Sequence, residues 1–341
     1  MLGLFAIALL YTAYFARVFL LPVVLALLLT ALLRPLVRVL HRAGLPEPAG
    51  AGLAVLALVA LLVAGGQALI APARNWIERV PATLNSLEAR VRALRRPVDQ
   101  VNVAAERVKE MTQGEDGSKE APVSVEIRAP TMGGILLGKA IAIATGAVTT
   151  VILLFFLLAS GDLYLRKLVH VLPRRADKDR AVEAAHRIGS DVSRWLLTVT
   201  AINTGLGVAE GLAMALVGMP NPLLWGVMAG VLNFVPFVGA IVGTSVIAVV
   251  SMVTFEESLG QALLPPILYF TITAIEGQLV TPMLLGRRLA LNPVIVFAGL
   301  IFWGWLWGVP GALLAVPMLV VAKIICDQVP TLKPAGEFLQ R

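Results

Sequence analysis

The sequence predicts an all-α polytopic membrane protein: about eight membrane segments, including two Gly/Pro-broken helical hairpins, plus a small helical extramembrane segment. Three observations carry that expectation. Of 341 residues, 58% are hydrophobic and 14% charged, and the mean hydropathy is +0.85. That is more apolar surface than a water-soluble chain of this length hides. The apolar residues come in runs, such as 18–33, 49–70 and 135–159. About 20 helical residues at 1.5 Å each match a hydrocarbon core about 30 Å thick. The excess positive charge collects in short loops between those runs, where topology explains it. The alternating strands of a membrane barrel are absent from the sequence.

Residues 1–16 are apolar but lack a basic leader and a small-residue cleavage site, so they read as a retained membrane segment. Arg17 separates them from the run 18–33. Residues 34–48 carry Arg34, Arg38 and Arg42 against Glu47 alone, which places this loop in the cytoplasm. The run from 49 crosses outward and closes an N-terminal membrane region at 1–70. Residues 71–131 are polar. Within them Trp76, Val80, Leu84, Leu87, Val91, Leu94, Val98, Val101, Ala105 and Val108 recur in steps of three and four, interrupted at Pro97. That spacing predicts two amphipathic helices packed against a partner. They read as an oligomerisation or gating segment, or as a hairpin folded on the chain's own membrane domain. A loop at 114–118 and a strand-like alternation at 123–128 follow.

The region 132–195 returns to the cytoplasm through 135–159, with Lys139 able to snorkel from its first turns. Arg166, Lys167, Arg174, Arg175, Lys178, Arg180, Arg187 and Arg194 then cluster, and 176–193 reads as an interfacial helix. Residues 195–218 cross outward into a motif-rich membrane core, 196–325, which a cytoplasmic tail, 326–341, follows.

Two stretches of that core, 222–255 and 293–325, are too long for one straight span. The first is broken at Pro236 and the second around Gly308, Pro310 and Gly311. Each fits a tilted helix or a hairpin, and charge favours hairpins. Hairpins leave Glu256 and Glu257 outside and put Arg287, Arg288, Lys323 and Lys333 inside. The stretches also resemble each other. Asn221-Pro222 opens one, with its turn near Pro236 and Gly239. Asn292-Pro293 opens the other, with its turn near Pro310 and Gly311. A span bearing an acid precedes each, Glu210 and Glu276 respectively. This is the layout of an inverted repeat, although compositional bias imitates one.

A carboxylate near a helix centre costs roughly 2.5–3.5 kcal/mol on insertion scales, so it faces a cavity or a partner. Glu210 and Glu276, with Asn203, Asn233 and Gln278 as polar company, are the candidates to line a substrate or ion path. Acids at such depth also serve proton exchange. Alternatively, each acid only bonds the free backbone groups of a broken helix, and Asn233 only caps a half-helix.

Residues 221–243, NPLLWGVMAGVLNFVPFVGAIVG, resemble the signature of the autoinducer-2 exporter family of bacterial membrane proteins. So do residues 275–323, opening IEGQLVTPMLLGRRLALNP and continuing through WGVPGALLAVP. The resemblance covers most of the chain, with its specific motifs in 193–325. It implies an integral protein of the bacterial inner membrane that assembles as a homo-oligomer. With a site between the two broken hairpins, the chain reads as a secondary transporter or facilitated exporter, and alternating access is the expected mechanism. Family members look like exporters of the furanone-type quorum signal autoinducer-2, and others are associated with sodium- or lithium-for-proton exchange. The resemblance names a transporter and leaves the small polar solute or monovalent cation open.

Other classes fit worse. His41, His170 and His186 all sit in or beside basic loops, no HExxH zinc pattern occurs, and Ser160-Gly161-Asp162 has no histidine at membrane depth. An enzyme is not expected, nor a cofactor or metal. No phosphate loop ends in Lys-Ser/Thr, so the chain is not its own ATPase. Cys326 is the single cysteine, which excludes an internal disulfide. The basic charge forms no stripe with interleaved aromatics, so nucleic acid is not a partner. A scaffold that recruits partners through 71–131 and transports nothing is the remaining rival.

Overall fold

The computed structural model describes residues 2–76, 132–161, 175–255, 258–285, 291–329 and 332–339. The helices expected beyond Trp76, the strand-like 123–128, the basic cluster from Arg166 to Arg174, the Glu256–Glu257 pair and the Arg287–Arg288 pair lie outside them. The elements are α1 (Leu2–Phe15), α2 (Arg17–Arg42), α3 (Glu47–Trp76), α4 (Met132–Ala159), α5 (Arg175–Leu216), α6 (Pro222–Leu232), α7 (Val238–Thr254) and α8 (Leu259–Ile275). A π-helical turn (Glu276–Val280), α9 (Thr281–Leu285), α10 (Pro293–Gln328) and α11 (Lys333–Leu339) complete the order. Among the described residues six helices are long and apolar enough to cross a membrane, and the chain is a polytopic membrane protein. It divides into two compact units, Met1–Gln67 with Ile141–Arg341, and Ala68–Ala140. The smaller unit is helical through Trp76 and from Met132. All that follows concerns the larger one.

The break expected at Arg17 is real: α1 ends at Phe15 and α2 begins at Arg17. The Arg17 guanidinium lies 5.0 Å from the Tyr14 ring centroid, a pairing suited to the membrane interface. Helix α2 carries Pro22 and Pro35 in its interior, which membrane helices tolerate when neighbours re-satisfy the freed backbone. The loop expected at 34–48 is shorter, because α2 continues to Arg42 and α3 starts at Glu47. Ala26, Ala51 and Ala54 are buried together with Val37, Val55, Leu154 and Leu158. Small residues at that seam let α2, α3 and α4 approach closely, since lipid supplies no hydrophobic force between helices.

The interfacial helix expected at 176–193 does not exist as a separate element. Helix α5 runs unbroken for 42 residues, Arg175–Leu216, about 63 Å at the usual rise, so a boundary at 195/196 falls inside it. No proline or turn chemistry interrupts the stretch, and its change from charged to apolar alters the solvent rather than the backbone.

Three antiparallel pairings fix the path of the core. Gly211 lies against Pro222, Gly207 against Gly226, and Asn203 against Gly230, so α5 and α6 run oppositely. The Ser251 hydroxyl donates to the Ala262 carbonyl at 2.7 Å, and the Tyr269 ring abuts Gly243, so α7 and α8 run oppositely. Glu210 meets Thr273, while Leu285 packs beside Val192 and Trp195, so α5 also opposes α8–α9. It follows that α6 and α7 reverse on each other: a hairpin, with its turn at 233–237. Helix α6 has 11 residues, about 16 Å, and α7 has 17, about 25 Å. The hairpin's arms are unequal, and its tip lies beside Asn203.

Residues 293–328 form the second hairpin. Gly308 has φ 70° and ψ −149°, a conformation open to glycine alone. On either side of it Gly304 faces Ala312 and Gly299 faces Leu319. The arms 293–307 and 309–328 thus fold back on each other. The turn centres on Gly308, with Pro310 and Gly311 in the first turn of the second arm, where proline costs no hydrogen bond and Gly311 lies against the Trp303 carbonyl. The Asn292 side chain caps the first arm at Val294 N, 2.9 Å. Because α8–α9 opposes α5, the two acid-bearing helices and their hairpins enter from opposite sides. The hairpins meet where Val235 packs on Val296, Leu300 and Ala315.

Lys323, counted among the cytoplasmic charges, is 1% exposed in the second arm. Its Nζ lies 2.6 Å from Asp327 Oδ2. Removing one partner of a buried pair strands the other. Because the Asp327 side chain is 41% exposed, water screens part of the loss. Asp327→Asn should therefore cost about 2 kcal/mol. Lys323→Met should cost less than about 1 kcal/mol, since only a half-solvated carboxylate is left. Unfolding of the two single variants and the double variant in detergent checks both values, and the double should resemble Lys323→Met.

Candidate functional site

Beneath the tip of the first hairpin lies a cavity of about 790 Å3, within the range of small-molecule sites. Its roof is the tip, Asn233, Phe234, Pro236 and Phe237. One wall is α5, from Trp195 to Asn203. Another is α8 with the π-helical turn and α9, from Phe270 to Leu285. The second hairpin closes it with Val316, Pro317 and Val320.

Glu276, 8% exposed, is held there by two donors. Asn233 Nδ2 donates to Glu276 Oε2 at 3.1 Å and to Asn203 Oδ1 at 2.9 Å. The Thr281 hydroxyl donates to Glu276 Oε1. The roof and both helical walls therefore meet through the Asn233 amide, with Glu276 its partner on one wall and Asn203 its partner on the other. Asn203 Nδ2 is buried without a protein partner. The tip also carries strain: Phe237, a non-glycine residue, has φ +66°. Such backbone costs on the order of 1–3 kcal/mol and gathers at functional sites.

Of the residues expected on the path, Asn203, Asn233, Glu276 and Gln278 line the cavity, as does the turn residue Pro236. Glu210 does not. It is 0% exposed behind Thr273, whose hydroxyl donates to its Oε1 at 3.2 Å, and its Oε2 has no partner. Gly239 is buried at the turn, where a side chain would strike the Leu232 carbonyl. Pro310 and Gly311 lie at the far end of the other hairpin and away from the cavity. Sequence reasoning missed Thr281, Thr273, Trp195 and Phe237. Thr273 stands three residues before Glu276, a spacing that shares a helix face. Thr281 stands five residues after it, and only the π-helical turn aligns that spacing. Among the described residues, no three His, Cys, Asp or Glu side chains gather into a metal-binding group.

A cavity between two interrupted helical hairpins of opposite orientation is the architecture of a membrane transporter. Residues 4–331 match the model of the AI-2E family of transporters, and the chain belongs to that family. It is similar to TqsA, an AI-2 transport protein of Escherichia coli K12, at 29% identity over 96% of this chain and 91% of that protein. YhhT of the same organism, a transport protein by name with no solute stated, is 26% identical over 88% of this chain and 82% of its own. A similarly named protein of Borreliella burgdorferi is 30% identical over 58% of this chain and 55% of that protein.

Proposed function

We propose that the protein exports a small polar solute across the bacterial inner membrane by alternating access, with the cavity as its transport site and Glu276 as the group that couples flux to a proton or cation gradient. One observation carries the reading: a buried carboxylate on one wall of the cavity holds the hairpin tip through Asn233, whose amide also reaches Asn203 on the other wall. A proton or cation arriving at Glu276 competes with the hydrogen bonds that hold the tip down, so ion binding and tip movement are linked. From the tip the cavity extends toward Trp195, Leu285 and Val320, the end of the core that the positive-inside rule assigns to the cytoplasm. This is an inward-facing arrangement, ready to load solute. The region 196–325 is the transport core, and the protein works as a homo-oligomer.

The relative TqsA is named for AI-2, which makes a furanone of that type the first solute to try. Efflux from proteoliposomes should rise several-fold when a proton or sodium gradient is imposed. Efflux equal to that of protein-free vesicles under every gradient would reject this solute. A second reading, sodium- or lithium-for-proton exchange, is favoured by the oxygens of Asn203, Thr281 and Glu276 gathered in one cluster. A pH-sensitive dye in the same vesicles detects it as alkali-cation-driven proton movement without any organic solute.

A further inference from the structure

We infer that the cavity takes an organic solute without negative charge, neutral or singly cationic, and turns anions away; this rests on the cavity being the transport site. Among the described residues that line it, Glu276 is the only ionisable one, and no Lys, Arg or His joins it. An anion beneath the tip would meet this buried carboxylate, where water screens poorly. Lys323, the nearest basic residue in the second hairpin, already pairs with Asp327.

The walls offer aromatic surface, from Trp195, Phe234, Phe237 and Phe270. Aromatic faces attract cations and pack against planar apolar groups. An amine finds a counter-charge in Glu276, and a neutral planar ring finds the aromatic faces. A carboxylate meets Glu276 as a like charge.

Three probes of one size and shape separate these cases: furfurylammonium, furfuryl alcohol and 2-furoate, titrated calorimetrically onto the protein in lipid nanodiscs against empty discs. Furfurylammonium should bind at least about tenfold more tightly than 2-furoate, with the alcohol between. In Glu276→Gln that order should collapse to within about threefold, while Glu276→Asp, which keeps the charge, should preserve it. Furoate binding as tightly as the amine overturns the inference. So does an order unchanged in Glu276→Gln. If furoate wins and Ala274→Trp, which fills the cavity, abolishes its binding, the transport site stands and only its charge preference falls. If no probe binds above empty discs, the cavity is not an organic-solute site, and the export reading falls with it.

Discussion

Glu276→Gln should reduce gradient-driven flux to the level of protein-free vesicles while leaving the protein folded. Glutamine keeps the length and planarity of the side chain, and its carbonyl oxygen still accepts from Asn233 or from Thr281, though not from both as the carboxylate does. One lost hydrogen bond costs about 1 kcal/mol, which a folded membrane protein survives. What cannot survive is charge coupling. An amide neither takes up a proton nor balances a cation, so the tip loses the event that frees it. Solute counterflow without an imposed gradient, which needs no net ion movement, should persist in the same variant. A scaffold that transports nothing predicts the opposite pattern: no flux to lose, and sensitivity instead at Leu87 and Leu94. Unchanged gradient-driven flux in the variant would remove Glu276 from the coupling role. Glu210→Gln is the informative neighbour. Its carboxylate is sealed behind Thr273, so a flux defect there would show that the proton route extends past the cavity wall.

The large features were legible because each has a cause that operates locally in the chain. Apolar run length fixed the spans. Gly308 and Pro236 announced their hairpins, because a helix cannot continue through either sequence context. The placement of Arg and Glu distinguished hairpins from tilted helices, and it did so through residues that lie outside those described. Asn203, Asn233 and Glu276 could be named because polar side chains at membrane depth are costly and need partners. Other features depended on three-dimensional register. Thr281 reaches Glu276 only because one turn winds with five residues between its hydrogen-bonded groups, and a 3.6-residue period points to Leu279 and Val280 instead. Glu210 and Glu276 look alike in sequence. A single helix rotation puts one on the cavity and the other behind Thr273. The continuity of α5 was missed for a different reason. A change from charged to apolar residues marks where a helix enters the membrane, and the backbone has no cause to break there.

Gly226→Val should abolish recovery of a monodisperse protein, because the site is built on the approach of α5 to α6. A Cβ at Gly226 would overlap the Gly207 carbonyl oxygen and stand 3.0 Å from the Gly211 Cα. At Gly230 it would stand 2.8 Å from the Asn203 carbonyl oxygen, and at Gly207 2.7 Å from the Gly226 oxygen. These neighbours are backbone, so no rotamer change relieves the contact and the helices must separate. Overpacking that displaces backbone costs about 3 kcal/mol or more. Within lipid the loss is not offset by a hydrophobic force, since the seam holds by close packing. Gly205→Val is the matched control. Nothing lies within 4 Å of a Cβ built there, and the same change on the same helix should shift the melting temperature by only a degree or two, about 0.5 kcal/mol. Gly226→Ala brings the same Cβ overlap without the two further methyl groups of valine, and tests the link to function. If the seam positions Asn203 against Asn233, a protein that still assembles should lose gradient-driven flux before it loses its fold. The 2.9 Å bond between those amides crosses from α5 to the hairpin tip and lengthens as soon as the helices part. Full flux in a well-folded Gly226→Ala protein would instead mean that the tip is held by Glu276 alone, with α5 contributing only a wall.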